Sequence, residues 1–216
     1  MQTANEDYYL SRMQEILDGH PAVSSQAFFE YKDQIPLSPP TGEFFYAIPS
    51  IILVISPINI LIASRFFLPF VLFLLVYFLI KRLTAGADVF AEKINAIAGA
   101  LFITLGYDLI DFRTVLGYLK GGIPPGDFLI WSRPVNPILG AIFLFSFLIL
   151  LWNIAEKPGT RRQKIYIAGA SLFLALMISS YFFSWGMALS ITGALILIYL
   201  LRKEYKTVKN LITVVI

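Results

Sequence analysis

Residues 58–80 read INILIASRFFLPFVLFLLVYFLI, a run of apolar residues broken by one charge, Arg65. At ~1.5 Å of rise per residue, a helix of this length crosses the ~30 Å hydrocarbon core of a bilayer with some tilt. Outward from it, further hydrophobic segments fall at about 44–55, 94–110, 135–152, 165–183 and 185–201. Only 14% of the chain is charged, against ~25% in soluble domains. The mean hydropathy is +0.73. Backbone polar groups in lipid must be satisfied within their own segment, so these stretches predict helices and no strands. The expected fold is all-α: a polytopic transmembrane helix bundle of about six hydrophobic segments over residues 44–216, preceded by a polar region, residues 1–43, with an interfacial helix.

Individual segments differ in how they fit a crossing. Segment 44–55 is short and Pro49 interrupts it, which suits a tilted or partly re-entrant helix, with Ser56-Pro57 separating it from the next. The last two segments are expected to meet in a tight hairpin at Ser184-Trp185-Gly186, with Trp185 at the interface. No internal repeat is evident.

The net charge of +3 describes topology rather than nucleic-acid binding, because the basic residues lie in short loops beside apolar segments. Loops 81–93, 156–164 and 202–209 carry eleven Lys and Arg residues, whereas the opposite loops carry three: Arg113, Lys120 and Arg133. This asymmetry places the first group in the cytoplasm and residues 111–136 outside. The polar N-terminal region shares the outer side if segment 44–55 does not cross fully, and is cytoplasmic if it does. With no cysteine and a single histidine, His20, the chain has no disulfide, no thiolate metal site and no multi-histidine site.

The first 43 residues hold seven of the fourteen carboxylates. Leu10, Met13 and Leu17 recur at helical spacing, Asn5 is placed to cap that helix and Gly19 to end it. Glu6 and Asp7 are adjacent carboxylates that repel, so one holds a proton or the two share a divalent cation; either state suits a general base or metal-assisted transfer. The structural alternative is an acidic first turn favoured by the helix dipole. Lys32 offers a point charge to a phosphate or is simply solvated. Arg65, roughly 10 Å into its helix, faces a polar cavity or snorkels to the near interface. Arg133, held by Pro134 and Pro137, suits a bidentate phosphate contact or an interfacial cap. No Gly-rich phosphate loop, Ser-His-Asp order or HExxH spacing occurs, so a donor substrate is expected to arrive through the membrane.

The N-terminal run Glu6-Asp7-Tyr8-Tyr9, then Arg12 to Leu17, Gly19, Pro21 and Ser38-Pro39-Pro40 before Glu43-Phe44-Phe45-Tyr46, resembles the GT-C class of integral-membrane glycosyltransferases. The likeness is to the protein O-mannosyltransferase and aminoarabinose-transferase branch. Arg65-Phe66-Phe67-Leu68-Pro69 resembles that family's arginine-bearing helix, and Ser132-Arg133-Pro134-Val135-Asn136-Pro137 one of its loops. The resemblance covers about residues 5–83. Aligned on the tyrosine, the family's Asp-Glu pair falls on Asn5-Glu6, leaving Asp7 one place later. Ser38 stands where a lysine often precedes Pro-Pro. The family's first helix has no counterpart, so a fragment of a longer protein is expected.

This resemblance implies transfer of a sugar from a polyprenyl-phosphate donor to an acceptor at the extracytoplasmic face of a bacterial or archaeal plasma membrane. It gives Asp7, then Glu6, as base or cation ligand, Arg133, Lys32 and Arg65 as phosphate contacts, and Tyr9 as a further substrate contact. The expected partners are the lipid bilayer and the lipid-linked sugar. The rival expectation is a non-catalytic transporter or lipid-handling bundle, or an inactive truncated family member; a transporter should show interrupted helices in two similar halves.

Overall fold

The computed structural model describes residues 4–23, 39–86, 88–110, 116–117, 119–122, 130–133, 135–156 and 160–216; the side chains of 4–6 and 106–110 lie outside that description. Among the described residues there are eight α-helices, one 3-10 turn at Ile130–Ser132, and no strand. The helices are α1 (Ala4–Leu17), α2 (Thr41–Leu53), α3 (Pro57–Leu83), α4 (Val89–Ile110), α5 (Ile138–Glu156), α6 (Gln163–Ile178), α7 (Phe182–Leu201) and α8 (Tyr205–Val215).

Each of the six hydrophobic segments is helical over most of its length, but two of the helices fall short of a crossing. Among the described residues, α3, α5 and α7 are long and apolar enough to cross a membrane. The apolar helices α2 and α6, with 13 and 16 residues, reach only about 20 and 24 Å, short of a ~30 Å core. Pro49 does not break α2, which runs on to Leu53. The last hairpin also sits earlier than its sequence suggests. Ser179 and Ser180 return their hydroxyls to the carbonyl of Leu176, ending α6, and Tyr181 is extended before α7 begins. Ser184, Trp185 and Gly186 therefore lie inside the first turns of α7, where Trp185 meets Phe182 edge to face.

By internal contact the chain divides into two compact units, Met1–Phe73 with Ala100–Leu139, and Leu74–Gly99 with Gly140–Ile216. In the first, α1 packs on α2. Helix α1 starts at Ala4, which puts Asn5 inside it rather than at its cap. Its end follows the expectation from Gly19, which takes φ +92°. The N–H of His20 then donates to the carbonyl of Glu15, and that of Gly19 to Ile16, so the last carbonyls of α1 are satisfied. Ile16, Val23 and Ala47 form a small apolar core with Phe44 against it, and Met13 is fully buried.

In the second unit, close approach is made by small residues. A Cβ on Gly140 would lie 2.5 Å from Ser184 Oγ and 2.7 Å from Tyr181 Cδ1; one on Gly169 would lie 3.0 Å from Leu150. Phe143 meets Phe173, and Phe147, Leu151, Ile154 and Met177 are buried. Helix α8 occupies part of a stretch whose charges read as loop. Its Thr207, Val208, Leu211 and Val214 recur on one face and pack it on α6 and α7.

Candidate functional site

The polar N-terminal helix is fixed by a buried ion pair that joins residues far apart in the chain. Tyr9, Arg12, Met13 and Ile16 fall on one side of α1, at the spacing of a single helix face. Arg12 Nε donates to Glu43 Oε1 at 2.5 Å, with both side chains almost wholly buried. Two charges out of water are tolerable only when paired this closely. Arg12 Nη1 also reaches the hydroxyl of Tyr8 at 3.3 Å, and the guanidinium lies 5.4 Å from the centre of that ring.

Tyr9 lies beside the pair, half-buried, in hydrogen-bond contact with the side chain of Asn136. Burial holds its hydroxyl above the usual tyrosine value; the neighbouring Glu43 and Tyr8 push the same way, while Asn136 and Arg12 oppose. Asn136 Oδ1 is buried without a hydrogen-bond partner among the described residues.

Tyr46 carries the network to the loop before α5. It is 2% exposed, and its hydroxyl accepts the N–H of Val135 at 2.7 Å. Val135 has φ +65°, a conformation costly for a β-branched residue. Two contacts hold it there: the tyrosine hydroxyl and Gly42, where a Cβ would lie 2.5 Å from Val135 Cγ1. Trp131 Nε1 ties the preceding turn to the carbonyl of Ile103 at 2.9 Å. Beside α2 lies a groove of about 320 Å³, lined by Thr41, Phe44, Phe45, Ile48 and Pro49.

The residues singled out in the sequence are distributed unevenly around this network. Tyr9 is part of it. Asp7 is exposed, and half a helical turn of rotation separates it from the buried face of α1. The side chain of Glu6 and all of Lys32 lie outside the described residues. Arg65 is half-buried on α3, next to Ser64, which hydrogen-bonds Tyr46. Arg133 is half-buried, its N–H closing the 3-10 turn on Ile130 at 3.4 Å. Among the described residues no three His, Asp or Glu side chains group as a metal site.

Arg12, Glu43 and Tyr46 emerge as the groups that organise the region, and only a faint pattern in the residues marks the first two. Arg12 is the one charge beside Met13 and Ile16 on an otherwise apolar face, and Glu43 is a carboxylate in the first turn of an apolar helix. No protein-family model, curated protein or solved structure matches this chain.

Proposed function

We propose that the chain is a membrane glycosyltransferase that moves a sugar from a polyprenyl-phosphate donor to an acceptor hydroxyl at the extracytoplasmic face. The observation that carries this is an accessible carboxylate on a rigidly mounted helix: Asp7 is exposed, while Arg12 and Glu43 anchor the opposite side of α1. A general base must be reachable by its substrate and held in place, and this arrangement meets both needs. The carboxylate of Glu43 is already engaged by Arg12, which favours a positioning role for it.

In the proposed reaction the acceptor oxygen bonds to the anomeric carbon as the bond from that carbon to the phosphate oxygen breaks. Asp7 takes the hydroxyl proton, and polyprenyl phosphate leaves with the bonding electrons. Arg133, Lys32 and Arg65 would offset its charge, and a divalent cation at Glu6 and Asp7 is the variant of the same step. Tyr9 lies on the buried face of α1, away from Asp7, which favours a positioning role for it. Two further features support the reading. Helix α2 is short for a crossing, which fits an outer location for the polar region in a bilayer oriented by the loop charges. The apolar groove beside α2 suits a hydrocarbon chain.

The test is release of polyprenyl phosphate from a panel of polyprenyl-phosphate sugars by the chain reconstituted in vesicles, with membrane extract supplying acceptors. Donor-dependent release that disappears in Asp7→Asn, with unchanged thermal unfolding, is the expected result. Release from no donor, or equal release by Asp7→Asn, would sink the catalytic mechanism and favour the non-catalytic lipid-handling alternative.

A further inference from the structure

Helix α7 is long and apolar enough to cross a bilayer and ends at Leu201, so in a bilayer crossed by α7 the residues after it would begin at the depth of the headgroups. Those residues are Arg202, Lys203, Glu204, Tyr205, Lys206, Thr207, Val208 and Lys209: four cations and one acid. All four cations are exposed, and no ion pair joins any of them to a carboxylate among the described residues.

They are also held in a fixed array. Lys203 adopts φ +60°, which closes α7 with the N–H of Glu204 on the carbonyl of Tyr199 at 3.0 Å. The chain re-enters helix at Tyr205. Thr207, Val208, Leu211 and Val214 are consumed in packing on α6 and α7, and Ser171 Oγ holds the carbonyl of Val214 at 3.0 Å. Lys206 and Lys209, three residues apart, consequently share the outward face with Tyr205, which is 64% exposed.

We propose that this α7–α8 junction is a binding surface for the headgroups of anionic phospholipids in the leaflet where α7 ends. The charge complements a phosphodiester, and the long stems of lysine and arginine let the cations reach headgroups from the end of a span. A tyrosine at the same level is suited to the wet–apolar boundary. A soluble acidic partner would find the same charges, but the end of a membrane span sets these cations against lipid first. An array built on packed helices, rather than on a loose tail, is expected to select anionic over zwitterionic lipid and to remain loaded through extraction.

The test places the full chain in nanodiscs of equal parts phosphatidylglycerol and phosphatidylcholine, extracts it gently, and counts the retained lipids by native mass spectrometry. Phosphatidylglycerol should be retained preferentially. In the triple variant Arg202→Gln, Lys206→Gln, Lys209→Gln that preference should fall by at least about tenfold, since each cation near an anionic surface is worth about fivefold. Lys203 is left in place because of its backbone conformation. If the triple variant fails to fold, Lys206→Glu alone, at an exposed position, should shift the preference in the same direction. Equal retention of the two lipids, an unchanged preference in the variant that folds, or a preference erased by inorganic phosphate would overturn the proposal. So would loss of the preference on adding a soluble polyglutamate peptide, which would mark a surface for acidic protein.

Discussion

The region around α1 and α2 and the region from α5 to α8 are held together by different physics. In the first, polar groups bond across elements: Arg12 to Glu43, and the Val135 N–H to Tyr46. In the second, most hydroxyls are satisfied within their own helix, as Thr192 is by the carbonyl of Ala188 and Ser190 by that of Gly186. Contact between those helices then falls to small residues and apolar side chains, with Gly140 under Ser184 and Tyr181 the tightest case. Lipid supplies little hydrophobic drive between helices, so close fit must do the holding in the apolar region. The polar region can instead use a few strong, directional bonds, and loses more when one is removed.

That contrast is most exposed at the ion pair. Glu43→Ala strands a buried guanidinium and is expected to destabilise the protein by about 3–5 kcal/mol, read by thermal or denaturant unfolding in detergent. The double replacement Arg12→Met with Glu43→Leu should recover most of that loss. A cost below about 1 kcal/mol for the single change would erase the distinction between the regions. Gly140→Ala comes next, at about 1–3 kcal/mol from overpacking. Gly186→Ala, with nothing within 4 Å of its Cβ, should be neutral or slightly stabilising by the same measurement. If the two glycines behave alike, close fit is not what holds the apolar region.

A smaller effect separates the regions by pH. Tyr9 has a folded value raised by burial, so the folded state keeps its proton longer than the unfolded chain does. Its contribution is intact below the unfolded tyrosine value of about 10 and is lost as pH rises from there through the folded value. Alkaline unfolding should therefore be less steep in Tyr9→Phe, with the tyrosinate absorbance of the wild type appearing late. Identical profiles would remove Tyr9 from the network. The smallest change is expected at Ser171→Ala, which deletes a hydroxyl bond to Val214 worth about 0.6 kcal/mol in an apolar helix bundle. A value several times larger would make α8 a polar anchor like α1.

Helices were legible wherever a long apolar run or a helix-ending glycine carried local information, as in α3 and at Gly19. The hairpin was misplaced because Trp185-Gly186 reads as a turn, whereas the serines at 179 and 180 end α6 by bonding back into it. Helix α8 was hidden because Arg202, Lys203, Lys206 and Lys209 dominate a stretch whose apolar spacing becomes clear only beyond Val208. Arg12 and Glu43 stood out singly as charges in apolar surroundings, but neither their pairing nor the Tyr46–Val135 bond had a local signature, because the partners are 31 and 89 residues apart. Asp7 drew notice by its neighbour Glu6, but adjacency in sequence says nothing of which face a side chain takes, and its own face is the exposed one.

Gly42 and Val135 occupy a single volume between them, and this makes the order of mutation matter. On the present background a methyl group at position 42 would collide with Cγ1 of Val135, whose branched side chain has few rotamers to retreat into. After Val135→Ala the same methyl meets only Cβ of residue 135, at 3.9 Å, an ordinary van der Waals contact, and Gly42→Ala changes from harmful to tolerable. Drift through this part of the protein is thus channelled: position 135 must shrink before position 42 can grow, and a library that varies either position alone would miss every sequence on the far side of that step.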